Sequence, residues 1–434
     1  MRHAGGSAAD DWPQNHVSPG GNGSLRVPER LAIGATTAPP QAQPGAQATT
    51  TVPPVQPQPT TPGPIPPVTP APAPVPVARR RPRLYIIDAT RLFAAIFVAL
   101  HHYAGTLRVN EAHNPIWGRP VSHIMPSIFR VSAYGWIGVE IFFVISGFVI
   151  CMSCWDRRPR DFFVSRVIRL YPAYWFGVLF TTGVLTLWPK VWKPLPARDV
   201  IYNLSMLQEG THHADVDGVY WTLYSELRFY LLFLIVVATG LTYRKVVIFC
   251  CVWAVVAAFA PAANLPVVTL IANSNGVWYF IAGLTLYLMH RFGPDLLLWG
   301  MLGFTWVMSQ DEISSRITHV EHVSSWRGAL TIYTVFLLFM VAVALGKTDR
   351  LQWKWLATAG SLTYPFYLLH YAAGTTAIYY LRDRMDARVL VAGLIAVFLL
   401  ASYGVHRLVE RPLSKIIKRG LNNAFDNLGK HSHS

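Results

Sequence analysis

The chain of 434 residues has few charged residues and few cysteines. Only 14% of its residues are charged, against roughly 25% in an ordinary soluble domain, and 52% are hydrophobic, which argues against a soluble enzyme. Four cysteines, all within or beside apolar runs, are too few for a disulfide framework. Cys151 and Cys154 form a CxxC pair, but no second pair completes a zinc set. We therefore interpret them as buried hydrophobic residues and expect no metal site.

Acidic residues are also scarce, because 22 Asp and Glu stand against 37 Lys and Arg, for a formal net charge of +15. Such an excess fits nucleic acid, anionic lipid or the cytoplasmic loops of a membrane protein. A basic cluster directly precedes the first long apolar run, and no exposed aromatic residues interleave with it, so we expect no nucleic-acid partner. The cluster consists of Arg79, Arg80, Arg81 and Arg83.

The first eighty residues are rich in proline instead. Fifteen of the 32 prolines fall between Pro39 and Pro76, in a segment too polar and broken to build a core. We expect residues 1–80 to form a disordered, partly polyproline II tail. Residues 1–30 lack the apolar region of a secretory signal peptide, so the tail is expected in the cytoplasm. A spacer is favoured over a ligand for a partner domain, and that partner is unknown.

From residue 84 onward, apolar stretches recur with nearly the ~20 residues that cross a ~30 Å hydrocarbon layer. The pattern predicts an all-α integral membrane protein with about ten transmembrane helices over residues 84–412, followed by a basic cytoplasmic tail at 413–434. The predicted spans are residues 85–104, 134–153, 169–188, 219–240, 246–263, 267–290, 293–309, 328–346, 359–380 and 387–406.

The loops between these spans alternate in charge. Those on the side of the tail are rich in Lys and Arg, whereas the longer segments 105–133, 189–218 and 310–327 have mixed charge. By the positive-inside rule, both termini should face the cytoplasm. We expect a multi-pass protein of the plasma membrane, the inner membrane if the source is bacterial, with lipids as neighbours. The basic loops include Asp156–Arg160, Tyr243–Lys245, Lys347–Lys354 and Arg411–Lys430.

Several ionisable residues lie inside the predicted spans. A charged side chain at the centre of a bilayer costs about 2.5–3.5 kcal/mol, so each is a functional candidate by default. A set this large indicates a polar cavity within the bundle. The residues are Asp88, Arg91, His101, His102, Glu140, Glu226 and Arg228.

Arg91 and His102 share one face of the first span, because eleven residues turn about 1100°, only about 20° from three full turns. They are separated by roughly 16 Å along the helix axis. Asp88 precedes Arg91 by one turn and can neutralise it. Alternatively, Arg91 reaches the lipid headgroups and His102 only forms a hydrogen bond to a neighbouring helix. Physical arguments alone favour the two interpretations equally. His101 points about 100° away and is interpreted as a packing residue.

Two further pairs stand one helical turn apart. Arg166 and Arg169 lie at a membrane boundary, where guanidinium groups suit the phosphates of a donor or, alternatively, lipid headgroups. Glu226 and Tyr230 combine a carboxylate with a phenol. Trp221, before them, is typical of an interfacial aromatic belt.

Six blocks occur in a fixed order, and together they make the chain, from Tyr85 to Pro412, resemble the integral-membrane acyltransferase-3 family. Small Ser146 and Gly147, in the second block, also permit close helix packing. The blocks are Arg91-x10-His102, Glu140 with Phe142–Phe148, Arg166-x-x-Arg169-Leu170-Tyr171-Pro172, Trp221-x-Leu223-x-x-Glu226-x-x-Phe229-Tyr230, Ser361–His370, and Glu410-Arg411-Pro412.

The resemblance implies an enzyme that moves an acyl group, most often acetyl, from cytosolic acyl-CoA to a hydroxyl of an envelope or secreted glycan or glycolipid. Acyl-CoA is then a donor substrate, and no tightly bound cofactor is expected. The expected catalytic residues are His102 as base, with Glu226 or Asp88 to orient its imidazole. The expected coenzyme-binding residues are Arg91, Arg166 and Arg169, and further expected site residues are Glu140, Ser146, Trp221, Tyr230 and His370.

Two other functions are possible for a chain with these membrane spans. A carrier or flippase for an anionic lipid or glycan is the main alternative, although the sequence shows no internal repeat. A scaffold that recruits a partner through the Pro-rich tail leaves the buried charges unexplained.

Overall fold

The computed structural model describes residues 84–105, 114–263, 265–273, 276–322 and 324–431. The predicted tail, residues 1–80, and the basic cluster after it lie outside these residues. Within the described ranges the chain forms sixteen α-helices and no strand, which confirms the predicted all-α class. The helices are α1 (Tyr85–Ala104), α2 (Val121–Ile124), α3 (Pro126–Ser132), α4 (Ile137–Cys154), α5 (Pro159–Leu187), α6 (Ala197–Ser205), α7 (Trp221–Ala238), α8 (Tyr243–Ala263), α9 (Pro266–Ala272), α10 (Val277–Phe292), α11 (Leu296–Arg316), α12 (Trp326–Ala344), α13 (Leu356–Leu369), α14 (Tyr371–Leu381), α15 (Ala387–Val405) and α16 (Arg411–His431).

The number of spans differs from the prediction. In the described residues, seven helical stretches are long and apolar enough to cross a membrane, or eight if the bent pair α9 and α10 counts as one. The count of about ten is therefore not confirmed. Two predicted spans cause the difference: α11 becomes polar in its second half, around Gln310–Glu312, and span 359–380 breaks at His370 into helices of 14 and 11 residues.

Helix α4 lies at the centre of the bundle, and every residue from Ile137 to Cys151 is buried. Glycines allow its neighbours to approach closely. A Cβ atom at Gly138 would lie 2.7 Å from the carbonyl oxygen of Ala94 in α1, and one at Gly283 of α10 would lie 2.1 Å from that of Val144. Because real Cβ atoms do not approach so closely, α1, α4 and α10 pack backbone to backbone.

Helices α13 and α14 pack along α1 and place His370 beside its second half. A Cβ atom at Gly360 would lie 2.5 Å from the carboxylate of Asp88, and one at Gly374 would lie 2.2 Å from the hydroxyl of Tyr103. These two contacts, at opposite ends of α1, fix the register of the broken span against α1.

The residues predicted as a basic tail form α16, which packs against the start of α5. Arg160 pairs with Asp426 at 2.7 Å, and the Phe163 and Phe425 rings meet edge to face with centroids 6.4 Å apart. This exposed ion pair contributes little energy, and a hydrogen bond from Ser414 to the carbonyl oxygen of Ile168, at 2.8 Å, also joins the two helices.

Candidate active site

The structure joins two histidines of the predicted site directly. Nδ1 of His102, on α1, lies 2.9 Å from Nε2 of His370, at the break between α13 and α14. Their rings are nearly parallel, with an interplanar angle of 19° and centroids 5.1 Å apart, and the centroid of the Tyr371 ring lies 4.3 Å from that of His102. His370 is fully buried. Because 268 residues separate the pair, sequence spacing gives no sign of it.

The surroundings of His370 assign the protons of the pair. Its Nδ1 lies 2.9 Å from the carbonyl oxygen of Tyr367, which only accepts hydrogen bonds, so Nδ1 of His370 must donate. In a neutral ring the other nitrogen, Nε2, then accepts, and His102 donates to it from Nδ1. Nε2 of a neutral His102 therefore carries the basic lone pair.

A second group of predicted residues surrounds Glu226, which is fully buried on α7. One carboxylate oxygen accepts a hydrogen bond from Ser146 at 2.9 Å and another from Tyr230. The other oxygen has no hydrogen-bond partner among the residues that the structure describes. Glu226 also interacts electrostatically with Arg166 and Arg91. Five predicted site residues thus lie close together, near the first half of α1. They are Glu226, Ser146, Tyr230, Arg166 and Arg91.

The two arginines of α5 have different surroundings. Arg169 is buried and pairs with Glu410, which also lies 2.8 Å from Nδ1 of His406. Arg166 instead lies over the rings of Phe162 and Tyr230, each with its centroid 5.8 Å away. The charge of Arg169 is therefore balanced within the protein, and Arg166 is better placed to meet an anionic ligand.

Arg166 and Tyr230 also line a shallow apolar groove between α5 and α7, together with three leucines of α7. The groove places a guanidinium group beside an apolar wall, next to the carboxylate of Glu226. The leucines are Leu227, Leu231 and Leu234.

Asp88 and Glu140 lie away from the imidazole of His102. Asp88 precedes His102 by fourteen residues on the same helix, or about 21 Å, so it cannot orient that imidazole. Glu140 forms a buried ion pair with Arg316 at 3.0 Å, and Glu321 links Arg316 to His101, at 3.7 and 3.2 Å. His101 is therefore part of a separate polar cluster.

Trp221 is the first residue of α7 and is partly exposed, five residues before Glu226. The sequence prediction missed Asp217, in the loop before α7. Asp217 is buried and accepts a hydrogen bond from the backbone N–H of Ala372, just after His370, at 3.1 Å. An acidic residue in a loop of mixed charge is a weak signal, and the contact joins residues 155 positions apart.

Comparison with known proteins identifies the family of the chain. Residues 84–407 match a family model described as an acyltransferase domain. Nodulation protein 10 of Rhizobium leguminosarum bv. viciae is 29% identical over 163 residues, which cover 33% of this chain and 41% of that protein. The match thus spans less than half of that relative. No solved structure matches the chain. Because the family model covers most of the described residues, the chain belongs to the acyltransferase-3 family and is a multi-pass membrane acyltransferase.

Proposed function

We propose that the protein is a membrane O-acyltransferase. It moves an acyl group, acetyl in the simplest case, from cytosolic acyl-CoA to a hydroxyl of a cell-envelope or secreted saccharide. The observation that carries this proposal is the hydrogen bond between His102 and His370, at 2.9 Å, because it fixes His102 in the tautomer that a general base requires, with the lone pair on Nε2.

In the proposed reaction, Nε2 of His102 takes the proton of the acceptor hydroxyl as its oxygen attacks the thioester carbonyl. A C–O bond forms, the C–S bond breaks, and the proton passes to the thiolate of CoA. His370 holds the tautomer of His102, and the Tyr367 carbonyl holds that of His370. This series of hydrogen bonds resembles a catalytic triad, in which a further group orients the base.

Arg91 and Arg166 are the proposed phosphate-binding residues, because a guanidinium group suits phosphate oxygens and both groups lie near the polar cluster around Glu226. With both termini in the cytoplasm, these arginines lie toward the cytosolic side. A donor whose phosphates bind there would extend its thioester along α1 toward His102, about 16 Å farther along the axis. Ser146 and Tyr230 hold the carboxylate between the arginines.

Mass spectrometry of surface and secreted glycans, from cells with and without the gene, tests the proposal. We expect loss of an alkali-labile acyl group in the deletion, restored by the parent gene and not by His102→Ala expressed at the same level. An acyl pattern that is the same in all three strains would contradict the proposal. The size of the lost group would identify the acyl chain.

A carrier for an anionic lipid or glycan is the second candidate, and one bent span favours it. Helices α9 and α10, which together pass as one span, bend by 40°. Broken helices commonly form substrate sites in transporters. The two functions differ in one product, since only the acyltransferase releases free CoA from acetyl-CoA in the presence of an acceptor.

A further inference from the structure

Asp217 caps the helix that begins directly after His370. Its Oδ2 accepts a hydrogen bond from the N–H of Ala372 at 3.1 Å, and its Oδ1 accepts one from Val219 at 3.2 Å. Helix α14 starts at Tyr371, and its own N-cap residue, His370, supplies no side-chain cap. The first N–H groups of a helix lack hydrogen-bond partners within the helix. A carboxylate at the N-terminus therefore accepts a hydrogen bond from one of them and interacts favourably with the helix dipole.

Other contacts hold the same break. The hydroxyl of Tyr103 donates to the carbonyl oxygen of His370 at 2.6 Å, and that of Tyr220 donates to the carbonyl oxygen of Leu368 at 3.2 Å. Asp217 interacts electrostatically with these two phenols and with Tyr367, whose carbonyl binds His370. Three side chains from other parts of the chain thus bind the backbone on either side of His370.

The loop that carries Asp217 is itself fixed from the other side. Asn203, which is fully buried on α6, donates to the carbonyl oxygen of Ala214 at 2.8 Å and accepts from the N–H of Val216 at 3.0 Å. These bonds hold the loop immediately before Asp217. The carboxylate is therefore anchored to two elements and is not a mobile surface group.

We propose that Asp217 is a positioning residue for acyl transfer: by capping α14 it fixes the backbone of His370, and through the His370 imidazole it fixes the orientation of His102. This inference rests on the proposed function. A shift of about 1 Å in the start of α14 would lengthen the 2.9 Å bond between the two histidines beyond hydrogen-bonding distance.

Asp217 changes its ionisation state near neutral pH. Burial raises its pKa to about 7, against the hydrogen bonds from Ala372 and Val219, which lower it. The titratable groups around it are Tyr103, Tyr220, Tyr367 and, in the same loop, Asp215. The ionised carboxylate is the stronger acceptor for the helix N-terminus, so the cap tightens as the pH rises through 7.

The test compares Asp217→Asn with Asp215→Asn in the full chain, purified in lipid nanodiscs. Asp215 belongs to the same loop, but its carboxylate accepts from the side chain of Gln208 at 2.7 Å. The substrates are acetyl-CoA and the glycan fraction of cells that lack the gene. We expect kcat of Asp217→Asn to fall about tenfold to a hundredfold, within the range of general-base contributions, with an unchanged KM for acetyl-CoA. Asp215→Asn should keep the parent kcat.

A second readout does not depend on turnover. Diethyl pyrocarbonate modifies neutral imidazole, so the pH midpoint of His102 modification, followed by mass spectrometry, reports the state of the base. We expect the midpoint to shift clearly in Asp217→Asn and less in Asp215→Asn, which retains the cap of α14.

Two results would overturn the role of Asp217: a parent-like kcat and pH midpoint in Asp217→Asn, or a lower Tm with unchanged kcat per folded molecule. If the parent transfers no acyl group, the proposed function fails, while the modification experiment still decides whether Asp217 positions the histidines.

Discussion

Replacing His370 with Ala removes the acceptor that holds Nδ1 of His102. The imidazole of His102 can then adopt either tautomer and rotate, so Nε2 is no longer presented to the acceptor hydroxyl. General bases contribute about 10²–10⁴ to a rate, and one decade corresponds to about 1.36 kcal/mol. If the whole contribution depends on this hydrogen bond, the barrier rises by about 2.7–5.4 kcal/mol.

The effect on folding should be smaller than the effect on activity. His370 is fully buried, and its loss removes the bonds to His102 and to the Tyr367 carbonyl. A buried group left without its partner costs about 1–3 kcal/mol. We therefore expect His370→Ala to fold in nanodiscs with a lowered Tm, to bind acetyl-CoA as the parent does, and to lose at least a hundredfold in kcat.

The assay is release of the CoA thiol at saturating acetyl-CoA, with the glycan fraction of cells that lack the gene as acceptor. His101→Ala is the matched control, because His101 is also buried on α1 but bonds the Ser132 carbonyl and Glu321 instead. It should lower Tm and leave kcat within a few fold of the parent. If His370→Ala retained a kcat within threefold of the parent, the tautomer argument would be refuted.

Three further predictions concern Arg166, Glu410 and Asp217. Arg166→Ala should weaken acetyl-CoA binding about tenfold, the loss of roughly 1.4 kcal/mol, without lowering Tm; equal affinities in isothermal titration would contradict this. Glu410→Gln leaves Arg169 buried without its counter-charge and should cost about 3–5 kcal/mol of unfolding free energy, measured by thermal denaturation; an unchanged Tm would show that the pair is dispensable. Asp217 has a folded pKa of about 7, above the roughly 3.9 of an unfolded Asp, so stability should fall as the pH rises from about 4 to 7. Asp217→Asn should flatten that slope in Tm measured between pH 5 and 8, and parallel slopes would argue against a raised pKa.

Apolar stretches were sufficient to predict the all-α class and most of the long helices, because each stretch folds locally and the bilayer sets its length, but not the number of spans. They could not predict the break at His370. Pro365 lies five positions earlier and Gly374 four positions later, so neither marks the break itself. The break is held by Tyr103 and Asp217, which are 267 and 155 positions away along the chain from the atoms they bind. Tertiary contacts of this kind leave no periodic signal.

The candidate site, like the fold, could be predicted only in part from the sequence. Arg91 and His102 share a helical face, so their spacing alone was informative. The pairs His102–His370, Ser146–Glu226 and Arg169–Glu410 are joined across 268, 80 and 241 positions. Before the fold is known, only the chemical type of each residue suggests that it has a partner. The resemblance to a family indicated candidate residues for the site, but it did not indicate which of them pair.

The packing of α1 bears on whether this polar bundle is an enzyme or a carrier. A carrier alternates access by moving one group of helices against another around its site. Here α1 holds both the arginine end and the histidine end of the site, and its backbone is met closely by Gly138 of α4 and by Gly135, which lies just before α4. Close-packed interfaces of this kind have few intermediate arrangements and resist sliding. A long, flexible donor that extends along a rigid α1 requires no such motion, and for this reason the enzyme remains the stronger proposal.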